Sequence, residues 1–392
     1  MPDAAADRLA SYIASVRKLA PLIHQHGDEA ERNAQLSREV VEEFHRAGLF
    51  RIFLPARMGG GELTIPQSFR LVEEVAYVDG SAGWNMAICS GGPLFGHYVA
   101  RDAFEEIFSN PRAVIAGSLN AMTTTATRGE GGWVYSGKAT NASGSGHATH
   151  IMAAGLVMRD GAPQFTDGIP QMRAAVFPVE HVKILSTWSV SGMRATGSND
   201  CTFQNVFVPE RYTFEFPNPR ETWTVGAWAK LPQSVQTGGV FGAVALGIAQ
   251  HALDAFKDLA MAKIPIGSRA TLRERPMAQV QLAQAEGLVR AGRAYYYDCY
   301  DDMWRRAERG ETFNDRALAD ARLAAVTAGR LAIQAVDLIY DAAGLSAIQT
   351  SCPIERCWRD VHATTQHILM APGRYETVGR ILLGLPPGFP LI

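Results

Sequence analysis

Three short stretches of this 392-residue chain carry side chains able to hold or move a proton. The first is Cys357-Trp358-Arg359-Asp360-Val361-His362-Ala363-Thr364-Thr365-Gln366-His367-Ile368. Within it, His367 offers an imidazole, whose ordinary pKa of about 6.5 lets it exchange a proton near neutrality. The plain alternative is a histidine on a helix face, bonded to backbone or solvent. The second stretch, Ser136-Gly137-Lys138-Ala139-Thr140-Asn141-Ala142-Ser143-Gly144-Ser145-Gly146-His147-Ala148, follows an expected strand and sets the Ser143 hydroxyl in a glycine-rich turn. That hydroxyl could donate to a ligand, or belong to an ordinary Ser/Gly turn that binds nothing. The third is Tyr375-Glu376-Thr377, where Glu376 is a candidate carboxylate base.

Other chemistries find little support. Five cysteines (89, 201, 299, 352 and 357) form no paired pattern, and no second Cys or His pair completes a zinc set around Cys352 and Cys357. They read as reduced thiols, and no metal is expected. A net charge of -2 gives no field that would favour nucleic acid or an anionic membrane. The first nineteen residues carry early acidic groups and no continuous apolar run, so neither a signal peptide nor a membrane span is expected there. A cytoplasmic location is the default expectation.

The elements that must position these groups change character along the chain. From Asp7 to about Phe53, and from Ile65 through Val78 and Trp84 toward Phe108, apolar residues recur at helical spacing. Between about 113 and 222 apolar and polar residues alternate, as in Gly132–Gly137, His150–Gly155, Ala174–Pro178 and Cys201–Pro209, which predicts strands joined by turns. From about 227 to 385 the chain is rich in Ala and Leu, with breaks near Pro265-Ile266-Gly267, near Gly310 and across Gly344 to Pro353. That pattern predicts four long helices in a bundle. The expected domains are a helical one (1–112), a β-barrel-like one (113–222) and a helical bundle (223–392), an α+β multidomain architecture.

This order and three motifs resemble the acyl-CoA dehydrogenase superfamily. Gly48-Leu49 with Leu54-Pro55 and Gly59-Gly60 is similar to the family's N-terminal turn. Trp188-Ser189-Val190-Ser191-Gly192-Met193-Arg194-Ala195-Thr196-Gly197-Ser198, with Val206-Phe207-Val208-Pro209-Glu210, is similar to its β-domain signature. Pro353-Ile354-Glu355-Arg356-Cys357-Trp358-Arg359-Asp360 is similar to the start of a C-terminal helix. In the dehydrogenases a glutamate removes the α-proton of an acyl thioester, commonly eight residues beyond the aspartate of the Arg-Asp pair. Counted from Asp360, that position is Ile368, with His367 in the preceding tyrosine position. A buried isoleucine cannot abstract a proton.

His367, the Arg-Asp-x-His segment and Gly379-Arg380-Ile381-Leu382-Leu383-Gly384 resemble a second branch, the two-component flavin monooxygenases of group D. The resemblance implies an oxygenase component that takes reduced FMN or FAD from a separate reductase, forms a C4a-hydroperoxide with O2 and hydroxylates an aromatic substrate. It implies that His367 contacts flavin and substrate, often as the base for a phenol. It also implies that Ser143 bonds flavin N5, where a fixed hydrogen bond and exclusion of water prolong the hydroperoxide. By the same resemblance Ser143, Gly144, Asn141, Trp188, Lys263 and His367 hold the cofactor. Trp84, His97 and Ile368 line the substrate pocket, His97 with a core position as its alternative. The chain departs from the family at Asn141, where an aromatic usually covers the flavin. It departs again at Gly92, where many relatives have a histidine, at Asp341-Ala342-Ala343-Gly344-Leu345, which stands for Gln-x-x-Gly-Gly, and at Lys263, which stands for an arginine. Homotetramers are the family's usual assembly. The competing expectations are a divergent dehydrogenase or flavin oxidase using Glu376, and a flavin-free scaffold.

Overall fold

A computed structural model describes residues 4–217, 223–224 and 226–388. The N-terminal part is helical: α1 (Ala4–Asn33), α2 (Arg38–Arg46), α3 (Ile65–Val78), α4 (Gly80–Ser90), α5 (Gly92–Gly96) and α6 (Arg101–Ser109). The helical run expected from Trp84 toward Phe108 is thus three helices; Gly91 and Pro93 fall at the first break. Helix starts are capped by side chains. Thr64 and Gln67 form a reciprocal capping box on α3, and the Asp79 carboxylate accepts from Ala82 N on α4 at 2.8 Å.

Eleven strands follow: β1 (Ile115–Ser118), β2 (Thr124–Gly129), β3 (Gly132–Ala142), β4 (His150–Arg159), β5 (Ala162–Pro163), β6 (Phe165–Thr166), β7 (Ile169–Pro170), β8 (Met172–Pro178), β9 (Lys183–Leu185), β10 (Asn199–Pro209) and β11 (Thr213–Phe216). Nine of them form one sheet in the order β11-β8-β4-β2-β3-β10-β9, with β1 and β5 also paired to β4, and β6 pairs with β7 apart. Among the described residues no pairing joins the β11 and β9 edges, so the sheet is open where a barrel-like closure was expected. Alternation assigns its two faces. Ile151 and Ala153 of β4 enter one core with Tyr135, Phe177 and Phe203, whereas Met152 and Ala154 enter another with Phe104, Phe108 and Phe214.

The C-terminal part holds α7 (Ala227–Lys230), α8 (Gln233–Gly238), α9 (Val240–Ala262), α10 (Pro276–Glu308), α11 (Asp315–Ala343), α12 (Pro353–Thr364) and α13 (Gly373–Leu382). Three of these are long. The fourth expected helix is split into α12 and α13, because the chain turns at Thr365 and Pro372 opens the next helix. His367 therefore lies in a turn, not on a helix face. α9 is the central helix, buried almost all round against α3, α11 and α12. Two of its close approaches depend on glycine: a Cβ at Gly247 would lie 2.3 Å from the Glu73 carbonyl oxygen, and one at Gly242 would lie 2.8 Å from the Tyr296 ring.

Candidate active site

A cavity of about 820 Å³ opens between the sheet, α4 and the C-terminal helices. That volume lies within the range of small-molecule sites. Its wall on the sheet side is built by the turn after β3 and the segment 188–198. Ser143 is buried there, and its hydroxyl accepts from Trp84 Nε1 at 2.9 Å. Ser143 Oγ and Ser198 Oγ lie 2.7 Å apart, and Ser198 Oγ and Thr196 Oγ 2.6 Å apart. These three hydroxyls have three protons and two links between them, so one proton is left to point out of the chain. If Thr196 donates to Ser198 and Ser198 to Ser143, the spare donor is Ser143, on the cavity wall. Gly144 follows with φ 74°, and its N–H donates to the Thr196 carbonyl at 2.9 Å. A Cβ there would meet Cys89 Sγ at 2.3 Å, so Gly144 shapes the turn and is not part of the cavity lining.

The segment 188–198 is clamped to α12. The Asp360 carboxylate accepts from Met193 N at 2.5 Å, and the Arg359 guanidinium donates to the Ser191 carbonyl at 2.8 Å. Arg359 also pairs with Glu31 and Glu355, so one side chain ties α1, α12 and the segment together. Gly192 lies so close that a Cβ would sit 2.1 Å from the Arg359 carbonyl oxygen. Burial, with the nearby Asp79 charge, pushes the Asp360 carboxyl up to about 7. Trp188, which lines the cavity, is held by its Nε1 donating to the Met193 carbonyl at 3.0 Å. Asn141 lines it too, in the left-handed region at φ 55°, with its N–H donating to the Asp200 carboxylate.

The opposite wall carries His367. Its ring centroid lies 4.1 Å from that of Phe241 and 5.6 Å from that of Trp84, edge-on to the indole. Trp84 thus touches both walls, bonding Ser143 and packing on His367. Leu369 N donates to His367 Nδ1 at 3.3 Å, which leaves the proton of the neutral ring on Nε2. Burial, with a contribution from the Arg322 charge, lowers the imidazole pKa to about 4. His367 is therefore neutral near pH 7, with a basicity below that of an ordinary imidazole.

Six of the anticipated residues meet at this cavity: Trp84, Asn141, Ser143, Trp188, His367 and Ile368. Ile368, expected to be buried, is 56% exposed and lines the rim. His97 is buried outside the lining, its ring 4.1 Å from that of Tyr98, as the core alternative anticipated. Lys263 is also outside the lining; its ammonium donates to the Ala343 carbonyl at 2.6 Å, at the C-terminal end of α11, where a cation is favoured. Glu376 sits exposed in the first turn of α13, away from the cavity. Sequence reasoning missed Phe241, Thr196, Ser198, Gln236 and Arg322, all of which line the cavity. Among the described residues the lining holds no Asp or Glu, so no carboxylate is placed there for the proton abstraction a dehydrogenase needs.

Comparison with known proteins agrees with this geometry. Residues 11–106 match the N-terminal domain of acyl-CoA dehydrogenase, and residues 239–372 match a C-terminal domain of acyl-CoA dehydrogenases. The chain belongs to the acyl-CoA dehydrogenase superfamily. Within it, the chain is 30% identical to an indole-3-acetate monooxygenase of Pseudomonas putida over 92% of its own length and 90% of the relative's. It is 27% identical to the oxygenase subunit HsaA, a flavin-dependent monooxygenase of Mycobacterium tuberculosis, over 96% of each chain. Its place is therefore in the branch of flavin-dependent monooxygenase oxygenase components. Its fold superposes on XiaF of Streptomyces, solved with FADH2 and glycerol, with a TM-score of 0.91 at 22% identity, over 98% of each chain.

Proposed function

We propose that this chain is the oxygenase component of a two-component flavin-dependent monooxygenase that hydroxylates an aromatic substrate. The observation that carries the reading is the pairing, across one cavity, of the Ser143–Ser198–Thr196 hydroxyl chain with His367, where no carboxylate lines the wall. The residues fit a flavin. Trp188 offers an aromatic surface, the hydroxyl chain can reverse direction and so serve either protonation state of a ring nitrogen, and the volume admits a tricyclic ring beside a second aromatic. Bound reduced FMN or FAD supplies the two electrons that activate O2.

The protein's own part is threefold. Ser143, fixed by Trp84, holds the hydrogen bond at the ring nitrogen. Phe241, Trp84 and the apolar wall exclude water, which strengthens that bond. Neutral His367 presents Nε2–H to a polar group of the substrate, and it becomes an acceptor there only if Nδ1 gives up the 3.3 Å bond from Leu369. Exposed Glu376, outside the cavity, speaks against the dehydrogenase alternative.

A separate reductase supplies the reduced flavin in this reading, and the assembly is a homotetramer. The surface that favours assembly is a group of exposed apolar residues at one end of the bundle: Met261, Ile264, Ile266, Met277, Leu345 and Ile348. The deciding experiment mixes the protein anaerobically with reduced FMN or FADH2 and then with oxygenated buffer. A transient absorbance band distinct from both reduced and oxidised flavin is expected, followed by isotopically labelled oxygen in an aromatic product. Immediate reoxidation with no such band, no labelled product from a panel of indoles and phenols, and reduction of the bound flavin by an acyl thioester would sink the reading.

A further inference from the structure

The helix that lines one side of the cavity carries a second row of side chains behind that lining. Trp84, Ala87 and Ile88 of α4 face the cavity, whereas Ser81, Asn85 and Cys89, spaced four apart, are buried outside it. This second row meets the two loops that carry the hydroxyl chain. Asn85 Nδ2 donates to the Ser81 carbonyl at 3.1 Å and to the Ala195 carbonyl at 3.2 Å, one residue before Thr196. Those two carbonyls fix which end of the amide is nitrogen, and its Oδ1 is buried without a partner among the described residues. An apolar side chain would not carry that cost, so the amide is explained by the carbonyl it holds. One turn on, Cys89 Sγ lies 3.4 Å from His147 Nε2, at the end of the Ser143 turn. Burial pushes the thiol up to about 12 and the imidazole down to about 4, so a neutral S–H donates to a neutral ring. The His147 ring is stacked on Phe50 with centroids 5.6 Å apart, and Gly144 leaves the space that the sulfur fills. The two loops are also tied to each other. Gly144 N donates to the Thr196 carbonyl, and Ser145 Oγ donates to the Gly197 carbonyl at 3.1 Å. They therefore form one body, which α4 grips at residues 143, 147 and 195.

We infer that Asn85 and Cys89 are positioning residues, which hold the Ser143–Ser198–Thr196 hydroxyl chain in register with the cavity while Trp84, on the neighbouring row, fixes its end. The inference rests on the oxygenase reading for what that chain does. The two hydroxyl links, 2.7 and 2.6 Å long, leave little slack, because such bonds weaken once the oxygens drift beyond about 3.0 Å. Neither Asn85 nor Cys89 lines the cavity, so both act through Ser143 and Thr196 and not on a bound molecule.

The test is amide hydrogen exchange of the whole protein without added flavin, read peptide by peptide by mass spectrometry. Cys89→Ala and Asn85→Ala should each speed exchange across 143–148 and 194–198 by about threefold to tenfold, the scale of one lost hydrogen bond, with α9 unchanged. Cys89→Ser keeps a donor and should return exchange to within about twofold of the wild type. In turnover with reduced FMN, O2 and an indole or phenol that the wild type accepts, the alanine variants should yield at least about threefold less product per reduced flavin consumed. Cys89→Ser should restore that yield. Unchanged exchange at both loops in both alanine variants overturns the inference. So does faster exchange that spreads equally through α9 and is not restored by Cys89→Ser, the mark of lost packing alone. Loosened loops with the wild-type yield of product overturn it too, because the chemistry would then not depend on the grip. The exchange measurement needs neither flavin nor turnover, so a wild type with no transient flavin band removes the oxygenase reading by a separate observation.

Discussion

Replacing Ser143 by alanine would leave the Trp84 indole N–H buried without its acceptor. A stranded buried donor costs about 1–3 kcal/mol, and denaturant unfolding should show a loss of that size. If flavin use also requires the hydroxyl chain, the same variant should consume reduced flavin while yielding less hydroxylated product. A variant as stable and as well coupled as the wild type would remove Ser143 from both roles. Titration gives a second prediction at this scale. His97, His147 and His367 each have a pKa lowered by burial to about 4 from the ordinary 6.5. Between those values the unfolded chain takes up protons that the folded chain refuses, so stability is full above pH 6.5 and falls toward pH 4. Each histidine contributes a slope of at most about 1.4 kcal/mol per pH unit. His45, His150 and His251 are lowered in the same direction. Asp360 opposes them, because its pKa is raised from 3.8 to about 7 and the stability it confers is lost as pH rises through that span. The histidines outnumber it, so melting temperature should climb from pH 4 to 6.5, and less steeply in His367→Gln. A flat curve would mean that the imidazoles are not buried in neutral form.

At the scale of elements, the clamp between α12 and the segment 188–198 decides whether the sheet-side wall of the cavity holds its shape. Asp360→Ala removes the acceptor of Met193 N and should lower both stability, by about 1–3 kcal/mol, and flavin affinity. Asp360→Asn keeps an oxygen acceptor without the buried charge and should retain both. Loss of flavin in the two variants alike would show that the negative charge, not the hydrogen bond, matters. Gly192→Val should mimic Asp360→Ala, since its side chain must push the segment off the Arg359 carbonyl. Both halves of this clamp were legible as motifs, Trp188–Ser198 and Arg359-Asp360, as were the helix–strand–helix order and the serine and histidine of the site. That Asp360 caps Met193 was not legible, because the register between elements 167 residues apart is set by packing and not by local pattern. Arg322 left a signal that went unread. Ala325, Val326 and Gly329, at three, four and seven residues beyond it, are all buried, which puts a charge on the apolar stripe of α11. Lys263 was placed by its position in the resemblance alone; that its ammonium caps α11 at the Ala343 carbonyl is set by packing between elements and was not legible.

At the scale of the whole molecule, the apolar end of the bundle sets the last expectation. Ile266 is 96% exposed, Leu345 and Met277 are each 66% exposed, and Met261 and Ile264 are each 60% exposed. Single exposed apolar residues are ordinary, but a group that shares one end of a bundle marks an interaction surface. The group does share one end, because the Lys263–Ala343 bond joins the loop after α9 to the C-terminus of α11, and Arg273 reaches back to Met261 Sδ at 3.5 Å. A homotetramer would bury these side chains, and burial contributes about 25 cal/mol for each Å² of apolar surface removed from water. Two aspartates placed there, Ile266→Asp with Leu345→Asp, would instead carry charge into the interface. If the chain assembles as the proposed homotetramer, they should lower the solution mass measured by light scattering from four chains toward two or one. Because the cavity lining and its hydroxyl chain lie within a single chain, the dissociated protein should still bind reduced flavin and an aromatic ligand. Dissociation with loss of flavin binding would mean instead that a neighbouring chain completes the cofactor site. A wild-type chain that is monomeric at micromolar concentration would remove this face as the basis of assembly.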